Sequence, residues 1–277
     1  MKYGLAVDGD ANPEILFDMA QKGEELGFDC YLVTDHFMKK SMDAWTYLPY
    51  LAGKTAKIRL GTCVTPIPFR PPGMLAKSIA TLDYLSGGRT ILGAGIGWHK
   101  PEFDGYSKWL DTSDRIAATD EGLQLMRRLW TEDTPVSFQG KYVHASDAVL
   151  DPKPVQKPHP QIWFGTHGPR TLKLTGKHGD GWIPVGPRWA GDFYPRPDAY
   201  SQMKETIISG LRERSIDPEK FVFSILINYS DDISLLRKET QQFIDAGMNY
   251  FILGMADQRE ECAIKIARVK SDVIDSL

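Results

Sequence analysis

Short apolar runs alternate with longer amphipathic stretches along almost the whole chain. In the longer stretches, apolar positions recur at the spacing of one helical face. The runs predicted as strands are 3–7, 30–33, 58–65, 89–92, 161–165, 181–185, 221–227 and 250–253. Eight strands that alternate with helices predict an α/β protein built as a closed (β/α)8 barrel, a TIM barrel. A doubly wound open sheet would need only about five or six strands, with its glycine loop after the first.

Two of the predicted helices begin at recognisable capping residues. Asn12 followed by Pro13 predicts a helix that runs to about residue 26. Asp111 predicts the start of a long amphipathic helix that includes Trp130. Further helices are expected over about 44–56, 72–85, 169–177 and 197–212.

Residues 131–160 interrupt the alternation of strands and helices. A hairpin is expected over 136–143, around Gln139 and Gly140. The segment 151–160 contains four prolines and cannot be helical. Because the alternation resumes at once, we interpret 131–160 as a surface insertion between helix 4 and strand 5 of a single domain that spans 1–277.

Glycines are dense between residues 87 and 98, where the sequence reads GGRTILGAGIGW. Gly93, Gly95 and Gly97 alternate after the predicted strand, a pattern typical of backbone that closely approaches a helix or a ligand. The dinucleotide fingerprint fails, because Trp98 follows Gly97 directly and Pro101 interrupts soon after. The alternative, that these glycines form a tight turn at the end of the strand and bind no ligand, remains open.

Composition and charge narrow the classes of function. The chain has 277 residues, 42% hydrophobic and 25% charged, as expected of a globular protein with a sizeable core. Its formal net charge of −3 argues against nucleic acid or an anionic membrane as partner. Cys30, Cys63 and Cys262 lack any paired spacing, which favours reduced thiols in the cytoplasm. Neither a leader nor a membrane-spanning run is recognised.

Candidate acid–base residues follow the predicted strands. In a barrel of this kind the ligand site lies at the carboxyl ends of the strands, where Asp8, Asp35 and His36 stand. His36 is the sharpest candidate, because histidine exchanges a proton near neutral pH and a neighbouring carboxylate can orient it. The alternative is a histidine that only hydrogen-bonds a loop. Glu102 is a candidate catalytic or substrate residue, or else a solvated loop carboxylate. With His99 it lacks a third ligand, so no metal site is expected.

A second candidate site is the turn at residues 165–168, which reads GTHG. It follows the fifth predicted strand and precedes a helix that begins near Pro169. The free backbone N–H groups of such a turn, with the Thr166 hydroxyl, predict a phosphate-binding site. Arg170 could add charge there, but a position on the helix surface explains it equally.

Four runs of the chain resemble the luciferase-like flavin and deazaflavin oxidoreductases. The runs read LVTDHF, IRLGTCVTP, ATLDYLSGGRTILGAGIGW and LDPKPVQKPHPQIWFGTHGPRTLKLTGKHGDGW. They occur in the family's order, and the last two are long and specific. The resemblance implies a barrel that binds FMN or the deazaflavin coenzyme F-420 at its carboxyl-end mouth.

The resemblance also implies a set of cofactor-binding residues. A non-prolyl cis peptide between Cys63 and Val64 would back the cofactor ring. The full set implied is Cys63, Val64 and Thr65; Gly93, Gly95 and Gly97 by the ring or its side chain; Gly165, Thr166 and Gly168 by the phosphate; and Gly186 at the rim.

Coenzyme F-420 is favoured over FMN, because the Asp-His-Phe step and the TCVTP segment are similar to those of deazaflavin reductases and dehydrogenases. In those enzymes His36 would sit over the ring, with Asp8 and Glu102 as acid–base partners. His99 and Lys100 depart from the asparagine and acidic residue that relatives often carry there. Several relatives with similar motifs bind FMN instead.

The first hypothesis is therefore an enzyme that transfers a hydride between coenzyme F-420 and a small organic substrate, with His36 as the proton carrier. The alternatives are an FMN-dependent monooxygenase supplied by a separate reductase, and a flavin-binding barrel without turnover. A sugar-phosphate isomerase is allowed by the fold alone. The resemblance further suggests a homodimer.

Overall fold

The computed structural model describes residues 1–8, 12–37, 41–188, 194–255 and 261–277. Within these ranges, eight parallel strands close into a barrel, in the order β3-β2-β1-β11-β10-β9-β8-β5. Pairing of Leu60 with Thr90 joins β3 to β5 and closes the ring. The strands are β1 (Lys2–Val7), β2 (Cys30–Val33), β3 (Arg59–Thr62), β4 (Thr65–Pro66), β5 (Thr90–Gly95), β6 (Val136–Gln139), β7 (His144–Ala148), β8 (Gln161–Phe164), β9 (Gly181–Trp182), β10 (Val222–Asn228) and β11 (Tyr250–Met255). The predicted (β/α)8 barrel is confirmed.

Helices connect consecutive barrel strands and cover the outside of the barrel. The Asn12 side chain accepts a hydrogen bond from Glu14 N at 2.9 Å, and Asp111 accepts one from Asp114 N at 2.7 Å, so both predicted caps are confirmed. The helices are α1 (Pro13–Glu25), α2 (Ala44–Ala52), α3 (Pro72–Ser86), α4 (Lys100–Tyr106), α5 (Thr112–Thr131), α6 (Pro169–His178), α7 (Pro197–Glu213), α8 (Ile233–Asp245) and α9 (Cys262–Asp272). None in the described ranges is long and apolar enough to cross a membrane.

Several strands differ from their predicted extents, and three of the differences affect the barrel mouth. The predicted strand 58–65 is split into β3 and β4, because the peptide bond between Cys63 and Val64 is cis. β5 continues to Gly95, so Gly93 and Gly95 lie inside the strand instead of after it. β9 ends at Trp182, ahead of Pro184, which has no N–H group for a ladder.

The insertion 131–160 is a hairpin followed by an irregular, proline-rich segment. The hairpin pairs β6 with β7 and extends beyond the predicted 136–143. The segment after it is fastened to α3, where the Asp83 carboxylate accepts hydrogen bonds from Gln156 N at 2.9 Å and Gln156 Nε2 at 2.6 Å. That residues 1–277 form a single domain stays a prediction.

The amino end of the barrel is closed by side chains from several strands. Trp163 and Tyr250 are fully buried inside it. Next to them, the Asp29 carboxylate accepts a hydrogen bond from Tyr250 Oη at 2.8 Å and forms an ion pair with Arg59. Arg59 Nη1 also donates to Gln161 Oε1 at 2.6 Å. A ligand therefore has its access at the opposite end, where the strands terminate.

Candidate active site

The carboxyl ends of the strands bring together residues that are far apart in sequence. Asp8 follows β1, Asp35 and His36 follow β2, and Cys63 follows β3. The glycine turn 95–97 ends β5, and the turn 165–168 ends β8. The structure therefore places the predicted site residues around one mouth, but it gives several of them different neighbours from those expected.

One polar contact at the mouth joins His36 to Glu102. His36 Nδ1 lies 2.9 Å from Glu102 Oε1. Glu102 is only 3% exposed, so it is not a solvated loop carboxylate. An ionised carboxylate can only accept hydrogen bonds, so a neutral imidazole in this contact would carry its proton on Nδ1 and present the lone pair of Nε2. This is the orientation that a histidine needs for proton exchange with a substrate.

Helix α4 accounts for the position of Glu102. The sequence interpretation treated Pro101 as an interruption, whereas Pro101 lies in the first turn of α4. A proline is tolerated there because its missing N–H group would have no intrahelical partner. Glu102 then follows in the same turn, where a carboxylate is also favoured by the helix dipole.

His99 contacts the same carboxylate from the start of α4. Its Nδ1 lies 3.4 Å from Glu102 Oε1, the oxygen that also binds His36. The indole of Trp98 contacts both imidazoles, with ring centroids 5.9 Å from His36 and 5.1 Å from His99. In the sequence His99 stands out as a departure from the family pattern and as one half of an incomplete metal pair with Glu102; its contact with the Glu102 carboxylate was not predicted.

Asp35 does not orient His36. Its buried carboxylate accepts hydrogen bonds from both terminal nitrogens of Arg70, at 2.5 and 2.9 Å, and from Thr65 Oγ1 at 2.8 Å. Arg70 Nη2 also binds Asp43 at 2.8 Å. The carboxylate that orients His36 is that of Glu102. Asp35 instead belongs to an ion-pair network with Arg70 and Asp43.

The charges in this network stabilise one another. Burial by itself would lower the pKa of the Arg70 guanidinium, but the hydrogen bonds and charges of Asp35 and Asp43 outweigh it and raise that pKa. Burial likewise opposes ionisation of Asp43, yet Thr46 and Arg70 together lower its pKa. No local sequence pattern could predict Arg70 as the partner, because the contact with Asp35 spans 35 positions.

The alternating glycines make room for neighbouring protein atoms. A Cβ atom on Gly93 would overlap the Thr62 carbonyl oxygen. A Cβ atom on Gly95 would lie 2.7 Å from Val64 Cγ2, and one on Gly165 would lie 2.8 Å from Val64 Cγ1. The Val64 side chain thus occupies the space between β5 and β8. The place of these glycines beside a cofactor stays a prediction.

Gly97 shapes the turn into the aromatic part of the mouth. Its φ of +78° is in the left-handed region, and a Cβ atom would lie 2.5 Å from the Phe103 ring. Trp98 follows and is 73% exposed. Phe37 and Phe69 pack nearby with ring centroids 4.6 Å apart. This side of the mouth therefore offers apolar surface to a ligand.

The turn at residues 165–168, before α6, retains only some of the groups that were predicted to bind a phosphate. The Thr166 hydroxyl lies 3.0 Å from the hydroxyl of Thr175, which donates to the Thr171 carbonyl at 2.9 Å, so the Thr166 proton points into the protein. The N-cap, Gly168, supplies no side-chain acceptor. The first N–H groups of a helix have no intrahelical partner, so those of α6 are suited to an anion.

The remaining predicted residues occupy the rest of the rim. Gly186 packs against β10, where an added Cβ would lie 2.5 Å from the Leu226 carbonyl oxygen. Burial raises the pKa of the Cys63 thiol to about 12, with smaller contributions from Cys30 and Asp8. Cys63 is therefore a neutral thiol and a poor nucleophile. Within the described ranges, no group of three or more histidine, cysteine or acidic side chains is arranged to hold a metal ion.

Residues 4–271 match the model of the luciferase-like monooxygenases. The chain belongs to this family. The family contains enzymes whose names specify different chemistry.

Two curated relatives illustrate the range of the family. The chain is 35% identical over 208 residues to an F-420-dependent glucose-6-phosphate dehydrogenase of Kineococcus radiotolerans, which covers 73% of this chain and 58% of the relative. It is 34% identical over 179 residues to a phthiodiolone/phenolphthiodiolone dimycocerosates ketoreductase of Mycobacterium tuberculosis, which covers 64% of this chain and 44% of the relative. The chain thus spans about half the length of these relatives.

Solved structures match the family's fold over nearly the whole chain. An F-420-dependent secondary alcohol dehydrogenase in complex with an F-420–acetone adduct has a TM-score of 0.84 and 25% identity, with 99% of both chains covered. The coenzyme F-420-dependent tetrahydromethanopterin reductase of Methanopyrus kandleri has a TM-score of 0.82 at 19% identity, again with 99% of both chains covered. The second likeness concerns the fold alone.

Proposed function

We propose that this chain is an oxidoreductase that moves a hydride between coenzyme F-420 and a small alcohol or ketone, with His36 as the proton carrier. The observation that carries the proposal is the 2.9 Å contact of His36 Nδ1 with the buried Glu102 at the barrel mouth. It determines which ring nitrogen can exchange a proton with a substrate.

The choice of cofactor rests on the relatives and on residues that suit a phosphate-bearing ring system. Dependence on F-420 is part of the names of the dehydrogenase that is 35% identical and of the solved alcohol dehydrogenase that is 25% identical. The start of α6, with Gly168 as its N-cap, would hold the phosphate. Cys63 and Val64 would back the ring. When bound, the coenzyme would supply or accept the hydride.

The chain's own contribution to the reaction would be proton transfer at one atom, His36 Nε2. During oxidation of an alcohol, His36 Nε2 would take the hydroxyl proton while the carbinol carbon loses its hydride. The resulting imidazolium would be stabilised by the Glu102 carboxylate at Nδ1. During reduction of a ketone, the same nitrogen would return the proton to the carbonyl oxygen.

An uncharged substrate suits this mouth better than a sugar phosphate. Among the described residues, Arg70 is bound by Asp35 and Asp43. Arg188 is bound by Glu239 at 2.6 and 2.8 Å. Neither guanidinium is available to a phosphate without breaking an ion pair. The exposed indole of Trp98 instead favours an apolar group beside the carbonyl. Lys39, Lys40 and Arg259 lie outside the described residues.

Cofactor titration followed by turnover tests the proposal. Purified protein is titrated with oxidised F-420 and, separately, with FMN, while the visible absorbance and fluorescence of each are followed. We expect saturable binding of F-420, then loss of its visible absorbance when a secondary alcohol is added. Absence of F-420 binding at micromolar concentration would overturn the proposal. Oxygen consumption with reduced FMN and a hydroxylated product would assign the chain to the monooxygenases instead.

A cytoplasmic location and a homodimer stay predictions, and so does a separate reductase in the monooxygenase alternative.

A further inference from the structure

We propose that a cavity at the amino end of the barrel binds a phosphate group. The cavity lies beside the first residues of β8, β9 and β10, at the end opposite the mouth. Its volume is about 320 Å³, which is at the lower end of the range for small-molecule sites. The inference is independent of the proposed function, because it concerns neither the mouth nor the coenzyme.

Three segments of the chain form the walls of this cavity. They are the end of the insertion at 156–161, the turn between α6 and β9 at 179–180, and the connection from α7 to β10 at 216–221. Lys157 comes from the first segment and Lys220 from the third, and both are exposed. Neither lysine forms an ion pair or a hydrogen bond with another described residue. Both ammonium groups are therefore available to an anion.

Two arginines add positive charge behind the wall of the cavity. Arg127 Nη2 donates to the His178 carbonyl oxygen at 2.5 Å, and Arg214 Nη1 donates to that of Gly179 at 2.8 Å. Neither guanidinium forms an ion pair with a carboxylate of the described residues. Burial lowers the pKa of Arg127; Asp180 opposes that effect, and the charge of Arg214 adds to it. The two guanidinium groups are thus close enough to repel each other.

The charges around the cavity are out of balance. Four basic side chains, those of Arg127, Lys157, Arg214 and Lys220, lie on its wall or behind it. Among the described residues that line it, Asp180 alone carries a carboxylate. Because the arginines are partly removed from water, their charge is screened less than that of an exposed side chain. An anion in the cavity would be attracted by this excess of positive charge.

Gln161 and His159 give the cavity groups of defined direction. Gln161 Oε1 accepts hydrogen bonds from Arg59 Nη1 at 2.6 Å and from Trp163 Nε1 at 3.2 Å. These bonds orient the amide and leave its NH2 group to donate to a ligand. His159 Nδ1 donates to the Pro160 carbonyl oxygen at 2.9 Å. Burial lowers the pKa of this imidazole, so at neutral pH the ring is uncharged and Nε2 is an acceptor.

This combination of donors and one acceptor suits phosphate better than sulfate. Oxygen atoms of either anion would accept hydrogen bonds from Lys157, Lys220 and Gln161. Inorganic phosphate also keeps a proton at neutral pH and would donate it to His159 Nε2, whereas sulfate has none to donate. A hydroxyl group of a small phosphate ester would serve the same acceptor, and its carbon atoms would contact the Phe221 side of the cavity.

Thermal unfolding in the presence of added anions tests the proposal without any cofactor. Sodium phosphate, sodium glycerol phosphate and sodium sulfate are titrated separately into the purified chain at neutral pH, with ionic strength matched by sodium chloride. A ligand that binds the folded state alone raises Tm as its concentration exceeds Kd. Sulfate controls for anions that stabilise proteins without binding them.

The variants remove charge from the cavity or from elsewhere. Lys157→Gln with Lys220→Gln removes both exposed ammonium groups of the site. Lys108→Gln with Lys238→Gln removes the same charge from two other exposed lysines and is the matched control. Circular dichroism checks that each variant is folded.

We expect a saturable rise in Tm with phosphate or its ester and a smaller, non-saturating rise with sulfate. The apparent Kd for phosphate should increase at least about tenfold in the variant that lacks Lys157 and Lys220. It should stay unchanged in the control variant. His159→Phe should reduce the preference for phosphate over sulfate. Tighter binding of glycerol phosphate than of phosphate would identify the ligand as an ester, and the reverse would identify it as the free ion.

Equal rises in Tm with phosphate and sulfate would overturn the inference. So would a phosphate affinity that survives the loss of Lys157 and Lys220, because the anion would then bind elsewhere, for example at the start of α6. Phosphate should still bind when the mouth is saturated with F-420. Binding of phosphate at the amino end in a chain that never binds F-420 would contradict the proposed function and leave this site standing.

Discussion

His36 and Glu102 are 66 positions apart in the sequence, yet their side chains meet at 2.9 Å at the mouth of the barrel. The contact joins the end of β2 to the first turn of α4. Because the carboxylate is buried, it acts on the imidazole through a single defined nitrogen, Nδ1. The first prediction concerns the nitrogen that remains, Nε2.

Replacement His36→Gln should reduce kcat by about 10²–10⁴-fold, the range that general acid–base catalysis contributes. Glutamine keeps a hydrogen-bond donor for Glu102 but cannot carry the proton. Binding of F-420, measured by the change in its fluorescence, should stay within about threefold of the unaltered chain. Full activity in a His36→Gln variant would exclude His36 as the proton carrier. Loss of both binding and activity would instead indicate a structural role.

The sequence predicted the barrel and both members of this pair, but not the pair itself. The periodicity of a strand or a helix depends on residues that are close together in the sequence, so the sequence alone reveals it. The contact of His36 with Glu102 depends on the existence of α4, which Pro101 obscured. The partner of Asp35 is Arg70, a contact between distant positions that no neighbouring residue signals. Likewise, the glycines of β5 suggested a ligand surface, because the side chain that packs against Gly95, that of Val64, comes from the connection between β3 and β4.

Arg70→Gln should destabilise the folded chain by about 3–5 kcal/mol, measured by denaturant unfolding. The loss is large because the Asp35 side chain is only 1% exposed and would be left buried without its guanidinium partner. Adding Asp35→Asn should recover part of the loss, since the uncompensated charge is then removed.

Arg128→Gln provides the control for the effect of Arg70. Arg128 also binds a carboxylate, that of Glu132 at 2.6 Å, but on the exposed surface of α5. Its replacement should change stability far less than Arg70→Gln. Equal losses for the two arginines would show that burial of the Asp35 pair is not the cause.

Asp120 should make the fold sensitive to acid. Its hydrogen bond from the His178 imidazole, at 2.5 Å, is the main reason that its pKa is lowered to about 2, although burial opposes the shift. Lys177 adds a smaller contribution from 2.7 Å. A carboxyl whose folded pKa is depressed stabilises the fold above its unfolded pKa of about 3.9 and loses that contribution as the pH falls through about 2.

Asp120→Asn should therefore lower stability by about 1 kcal/mol at neutral pH, a figure reduced for partial exposure of the pair. The difference from the unaltered chain should shrink as the pH is lowered from about 4 to about 2. Thermal unfolding at a series of pH values measures both effects. Asp133→Asn, an exposed position near the end of α5, is the matched control and should show no such pH dependence. A constant difference at all pH values would contradict the assignment.

The last prediction separates two reasons for glycine in β5. At Gly95 an added Cβ meets mainly the Val64 side chain, whereas at Gly93 it meets the Thr62 carbonyl of the backbone. A side chain can be shortened, but a backbone carbonyl cannot. Gly95→Ala should thus be destabilising by about 1–3 kcal/mol and should be largely rescued by Val64→Ala. Gly93→Ala should cost at least about 3 kcal/mol and should gain little from Val64→Ala.

Gly73→Ala in α3 controls for the change from glycine to alanine itself. No atom lies within 4 Å of a Cβ at that position, so the variant should be as stable as the unaltered chain or up to about 1 kcal/mol more stable. Denaturant unfolding of the two single β5 variants, of Val64→Ala alone, of the two double variants and of this control gives all the required differences. Equal rescue at Gly93 and Gly95 would contradict the distinction, because it would mean that Val64 alone excludes a side chain from both positions.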